Sequence, residues 1–102
     1  MIETGLSSEE MEMIRRVFAK NPEITRVVLY GSRAKGSYRP ESDVDFAVQG
    51  SIAPLRVESL AADLEELPLP YRFDVRSYAA IQSRDLLDHI DRVGLTVYEQ
   101  EI

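Results

Sequence analysis

Two aspartates one residue apart, Asp43 and Asp45, follow a Gly31-Ser32 pair after ten intervening residues, and a third, Asp74, stands in a later apolar run. Val44, Phe46 and Val48 alternate with Asp43, Asp45 and Ala47. As a strand, this period of two puts three large apolar side chains on one face and both carboxylates on the other. Carboxylates so close repel each other, so a cation belongs beside them. Their short side chains and hard oxygens suit Mg²⁺, which takes a few carboxylates and completes its octahedron with phosphate oxygens and water. Gly31-Ser32 supplies the complementary part. Glycine permits a close backbone approach, and if Ser32 opens a short helical turn, its amide and hydroxyl face an anion. Arg33, Lys35 and Arg39 add positive charge nearby, with Arg33 grouped with Gly31 and Ser32 as an expected nucleotide contact. These parts match metal-assisted phosphoryl or nucleotidyl transfer, in which one ion orients a triphosphate and a second, held with Asp74, activates the attacking hydroxyl. Positioning and charge neutralisation carry such a reaction, so it requires no catalytic His or Cys.

The surrounding elements must bring these groups together. Ser7 and Glu10 read as a capping box with Leu6 and Met11 as a hydrophobic staple, after a short tail. Ile14, Val17 and Phe18 continue the apolar stripe of a helix over about 8–20, ended by Asn21-Pro22. Ile24–Tyr30 is β-branched and apolar, as in a strand buried on both faces. Asp43–Val48 is the second strand, and Gln49–Pro54 a connection. Val57, Leu60, Ala61, Leu64 and Leu67 form a helical stripe closed by Pro68 and Pro70. Tyr71–Arg76 alternates as a third strand, with Asp74, Arg72 and Arg76 on its polar face. Ser83 caps a last helix carrying Leu86, Leu87 and Ile90; Gly94 ends it, and Leu95–Tyr98 forms a last strand. The lone histidine, His89, reads as a helix-surface residue, and Tyr30, Tyr71 and Tyr98 as core or interface aromatics. The order αβ(loop)βαβαβ predicts an α/β (α+β) fold, one domain over residues 1–102 with helices packed on the sheet. About a dozen residues join the first two strands, which leaves their relative orientation open. If the second and third strands are neighbours, Asp43, Asp45 and Asp74 converge at one end of the sheet.

A chain of 102 residues, 44% hydrophobic, allows a modest core but no separate substrate domain. No apolar run is long enough to span a membrane, the N-terminus lacks a signal-peptide pattern, and there is no cysteine, all of which fits a cytoplasmic protein. The net charge of −6 argues against broad nucleic-acid binding but admits a small phosphorylated ligand or a basic protein partner.

Gly31-Ser32, ten residues, then Asp43-Val44-Asp45 resembles the signature of the DNA polymerase β-type nucleotidyltransferase superfamily. The fuller stretch from Gly31 to Phe46, with the C-terminal Ile90–Tyr98, is similar to its minimal nucleotidyltransferases, and the resemblance covers nearly the whole chain. Lys35 stands where Arg is commoner, and Phe46 where Leu is commoner. The resemblance implies a mixed sheet flanked by helices. It also implies Mg²⁺ and ATP at Asp43, Asp45 and Asp74, with the triphosphate on Gly31 and Ser32. Many such proteins are antitoxins paired with a helical HEPN toxin, which some neutralise by transferring AMP to a toxin tyrosine. Assembly with itself or with such a partner is compatible with this. The competing expectations are a binding module that inhibits by covering its partner, and an enzyme acting on a small molecule such as an aminoglycoside. The latter kind generally carries an extra substrate-binding region that this chain lacks.

Overall fold

The computed structural model describes residues 3–101; Met1 and Ile2, the start of the expected tail, and Ile102 lie outside the described part. Helix α1 (Ser8–Ala19) is started by the anticipated capping box: Ser7 Oγ accepts from the Glu10 amide at 3.0 Å, and Glu10 Oε1 accepts from the Ser7 amide at 2.9 Å. Strand β1 (Ile24–Tyr30) leads through Gly31 into a single helical turn, α2 (Ser32–Lys35), ended by Gly36. Strand β2 (Val44–Gly50), helix α3 (Pro54–Glu65) and strand β3 (Phe73–Ser77) form a right-sized crossover unit, with Pro54 at the helix start where its missing N–H costs nothing. A 3₁₀ turn over Tyr78–Ala80, absent from the sequence-based expectation, precedes α4 (Arg84–Val93) and β4 (Leu95–Glu99).

The strand order is β3-β2-β1-β4. β1 runs antiparallel to both β2 and β4, whereas β2 and β3 are parallel, so the sheet is mixed. This decides the orientation left open: the Gly31–Asp43 loop returns the chain antiparallel, and α3 carries it back for the parallel step.

One face of the sheet is the main core. Val27 and Leu29 of β1, Val44, Phe46 and Val48 of β2, and Phe73 of β3 pack beneath Ile14, Val17 and Phe18 of α1 and Leu60 and Leu64 of α3. Phe18 meets Phe46 edge-on at 5.2 Å between centroids. The opposite face is covered only in part. There Val28, Tyr30 and Ala47 pack against Ile90 of α4, with Tyr78, Ile81 and Leu86 at the margin. β1 is therefore buried on both faces over Val27–Tyr30, while Thr25 and Arg26 at its start are exposed. The uncovered remainder of the second face, on β2 and β3, is where the aspartates stand.

Candidate active site

Register brings the acidic residues together. Asp45 pairs with Tyr30 across the antiparallel ladder and with Asp74 across the parallel one. Tyr30, Asp45 and Asp74 thus form one cross-strand row at the end of the sheet where the Gly31–Ser42 loop begins and ends. Asp43, one residue before β2, is exposed at the mouth of the same row. Burial, then the neighbouring charges of Asp74 and Asp43, push the Asp45 carboxyl up to about 6. Burial and the nearby Asp74 likewise push the Tyr30 phenol up to about 12, which keeps it a neutral O–H beside the acids.

The carboxylates share a place without forming a closed cage. Among the described residues no three carboxylate or imidazole side chains are drawn in tightly enough to hold an ion ready-made. Asp74 Oδ2 leans instead to Arg76 Nε, 3.5 Å away, in an ion pair that is about half-exposed on both sides. The donor set nevertheless fits a divalent cation. A half-buried carboxylate whose charge is opposed by two others is the site where added positive charge gains most.

Gly31 joins the acids to the turn. Its φ of +77° and ψ of −157° suit glycine alone, and a Cβ there would collide with Asp45 Oδ2. That close approach sets the first turn of α2 directly beside the carboxylate row. The Lys35 amide bonds back to Gly31 O at 3.1 Å, so the amides of Ser32, Arg33 and Ala34 lie in the first turn, where helix geometry provides no acceptor.

Arg33 is placed differently from its expected role. Its side chain is 2% exposed and aims away from the turn into the loop. There it donates to the carbonyls of Thr4 (2.9 Å), Pro40 (3.3 Å) and Ser42 (3.0 Å), between the rings of Tyr38 and Tyr71 at 4.9 Å each. It shapes the loop rather than presenting a charge to phosphate. Thr4 and Gly5 of the expected tail are held by the same clasp, because Thr4 O receives Arg33 and Gly5 O receives the Tyr71 hydroxyl. Lys35 and Arg39 remain exposed on the loop. Ser42 closes a turn of the loop: its Oγ accepts from the Arg39 amide at 2.8 Å.

Two residues of this region were not legible as site residues. Tyr30 stands in the acidic row as well as in the core. His89 is no free surface residue, since its Nε2 accepts from the Gly31 amide at 3.1 Å. The signal was its helical spacing, which puts it on the inward stripe of Leu86, Ile90 and Val93.

A mixed sheet whose Gly-Ser turn abuts paired aspartates is the arrangement of a nucleotidyltransferase. The polymerase beta nucleotidyltransferase family matches residues 12–102, and the chain belongs to that family. It is 29% identical over 101 residues to "Probable protein adenylyltransferase MntA" of Haemophilus influenzae, covering 94% of this chain and 85% of that protein. Among solved structures it is similar to a toxin–antitoxin complex with AMP-PNP, with a TM-score of 0.74 and 21% identity over 89% of this chain and 74% of the other. A tri-AMPylated HEPN toxin from Shewanella oneidensis in complex with its MNT antitoxin contains another similar chain. There the TM-score is 0.62 and the identity 18%, over 88% of this chain and 73% of that one. At these identities the solved structures establish the fold.

Proposed function

We propose that this chain is a protein adenylyltransferase that modifies a HEPN-type toxin and thereby acts as its antitoxin. The observation that carries the reading is the Asp45–Asp74 register pair set against the Gly31-Ser32 turn. The adenylyltransferase name of the Haemophilus relative and the tri-AMPylated toxin of the Shewanella complex support it.

In this reading Asp43, Asp45 and Asp74 hold Mg²⁺, and the first-turn amides of α2 with the Ser32 hydroxyl receive the triphosphate. The bound cation would offset the repulsion within the acidic row and draw phosphate oxygens to it. The acceptor is a tyrosine hydroxyl of the partner. Its oxygen bonds to the α-phosphorus of ATP, the bond from that phosphorus to the β-phosphate oxygen breaks, and pyrophosphate leaves with the electron pair. Asp74, the open end of the row, takes the hydroxyl proton. Tyr30 stays a neutral phenol beside the acids.

Intact-mass measurement tests this. Incubation of the protein with ATP, Mg²⁺ and the product of the neighbouring gene should add AMP to that product, and Asp43→Asn should abolish the gain. Persistence of the adduct with Asp43→Asn, or no adduct with any nucleoside triphosphate, would contradict the reading. The Asp74–Arg76 ion pair favours one alternative, an antitoxin that inhibits by complex formation alone. In that case Asp43→Asn/Asp45→Asn would still protect cells from the toxin.

A further inference from the structure

Gly31 is held from two sides. In front, the Asp45 carboxylate lies so close that no side chain fits between them. Behind, the Gly31 N–H points into α4 and ends on His89 Nε2 at 3.1 Å. A backbone amide can only donate, so Nε2 is the unprotonated nitrogen and the neutral ring carries its hydrogen on Nδ1. The ring itself is fixed. It stands edge-on to the Tyr30 ring, 6.2 Å between centroids at 80°, and the next residue, Ile90, is buried against Val28, Tyr30 and Ala47. The helix is fixed in turn by Ser83, whose Oγ accepts from the Leu86 amide.

We propose that His89 is a positioning residue for the nucleotide turn. By accepting the Gly31 amide hydrogen it locks the peptide that enters α2, and so fixes both the aim of the first-turn amides and their distance from Asp45. The inference rests on the nucleotide-binding reading above and adds a residue that makes no contact with the nucleotide. The reasoning is geometric. With φ at +77°, Gly31 has many alternative conformations open to it, and the short α2 turn has no long helix to hold it. The Lys35-to-Gly31 bond ties the turn to the Gly31 carbonyl, and among the described residues it is His89 that ties the Gly31 amide. Without it the entry peptide can rotate, and a ligand must then supply the ordering.

Three variants separate the acceptor from the ring. His89→Gln keeps an acceptor at similar reach, His89→Phe keeps the packing on Tyr30 without one, and His89→Asn is polar but too short. In the ligand-free protein, hydrogen exchange at the Gly31 amide should be slow in wild type and His89→Gln and fast in the other two. Calorimetric titration with ATP and Mg²⁺ should show dissociation constants about tenfold weaker for His89→Phe and His89→Asn, with His89→Gln near wild type. The loss should fall mainly on KM for ATP, with kcat at saturation changed less, because bound nucleotide restores the turn. Wild-type affinity and Gly31 protection in His89→Phe would overturn the proposal, as would a His89→Gln variant that folds yet binds as weakly as His89→Phe. If wild type itself binds no ATP, the nucleotide reading falls and this role falls with it; if wild type binds and His89→Phe binds equally, only the positioning role falls.

Discussion

Alternate residues of β2 face opposite environments. Val44, Phe46 and Val48 point into the core and are fully buried against α1 and α3. Asp45, between them, points to the partly covered face, where burial and two neighbouring acids oppose its charge. The first set holds the sheet together through apolar burial. The second is less favourable in the isolated protein than it would be in water, and becomes favourable when positive charge arrives. The same seven-residue strand thus carries the stability of the fold on one side and an electrostatically unbalanced carboxylate on the other.

Substitutions on the two faces should therefore move stability and transfer in opposite ways. Asp45→Asn should reduce adenylyl transfer by roughly a thousandfold, the scale of losing a principal electrostatic contact in a transition state, and the same sample should melt no lower than wild type. Phe46→Ala, its neighbour on the core face, should destabilise the fold by about 4 kcal/mol, visible as a large drop in thermal midpoint. A stable Phe46→Ala or an unstable Asp45→Asn would erase the contrast.

Arg33 sharpens the comparison, because it lies between the site and the core. Arg33→Ala should cost about 3 kcal/mol through the lost charged hydrogen bonds and the emptied space between Tyr38 and Tyr71. Arg33→Lys should recover little of that, since an ammonium cannot reproduce the planar fork. Denaturant unfolding of both variants checks this. Wild-type stability in Arg33→Lys would mean that Arg33 acts as a charge rather than as a clasp.

The smallest effect is a pH dependence. Asp45 has a pKa of about 6 when folded against 3.8 for an ordinary aspartate, so the folded state binds its proton more tightly than the unfolded state. The corresponding stability is complete below about pH 4 and is lost as pH rises through about 6. After allowance for solvent around a half-buried group, the change is about 1 kcal/mol. Asp45→Asn should flatten the stability profile across that window, and Mg²⁺ should raise the midpoint of wild type above pH 6 but not that of Asp45→Asn.

Much of this was legible in the sequence because local chemistry agreed with the fold. The Ser7–Glu10 box, the alternation in β2, the Ser83 cap and the stripe of α3 each had one satisfactory reading, and the structure has the corresponding elements. Placing Asp74 beside Asp45 needed strand order and register, which depend on the parallel crossover rather than on either segment alone. The surroundings of the Arg33 and His89 side chains were not legible for a related reason. Both are polar residues whose partners are backbone groups, and a carbonyl or amide 29 or 58 positions away leaves no trace in residue type.

The central claim is that the acidic row transfers an adenylyl group. Parallel reactions with ATP labelled on the α-phosphate or on the γ-phosphate, each with Mg²⁺ and the partner protein, test it most directly. The account predicts that the α-label becomes bound to the partner, that the γ-label leaves as pyrophosphate, and that both events stop with Asp45→Asn. Partner labelled from the γ-phosphate, or α-labelling that survives Asp45→Asn, would contradict it.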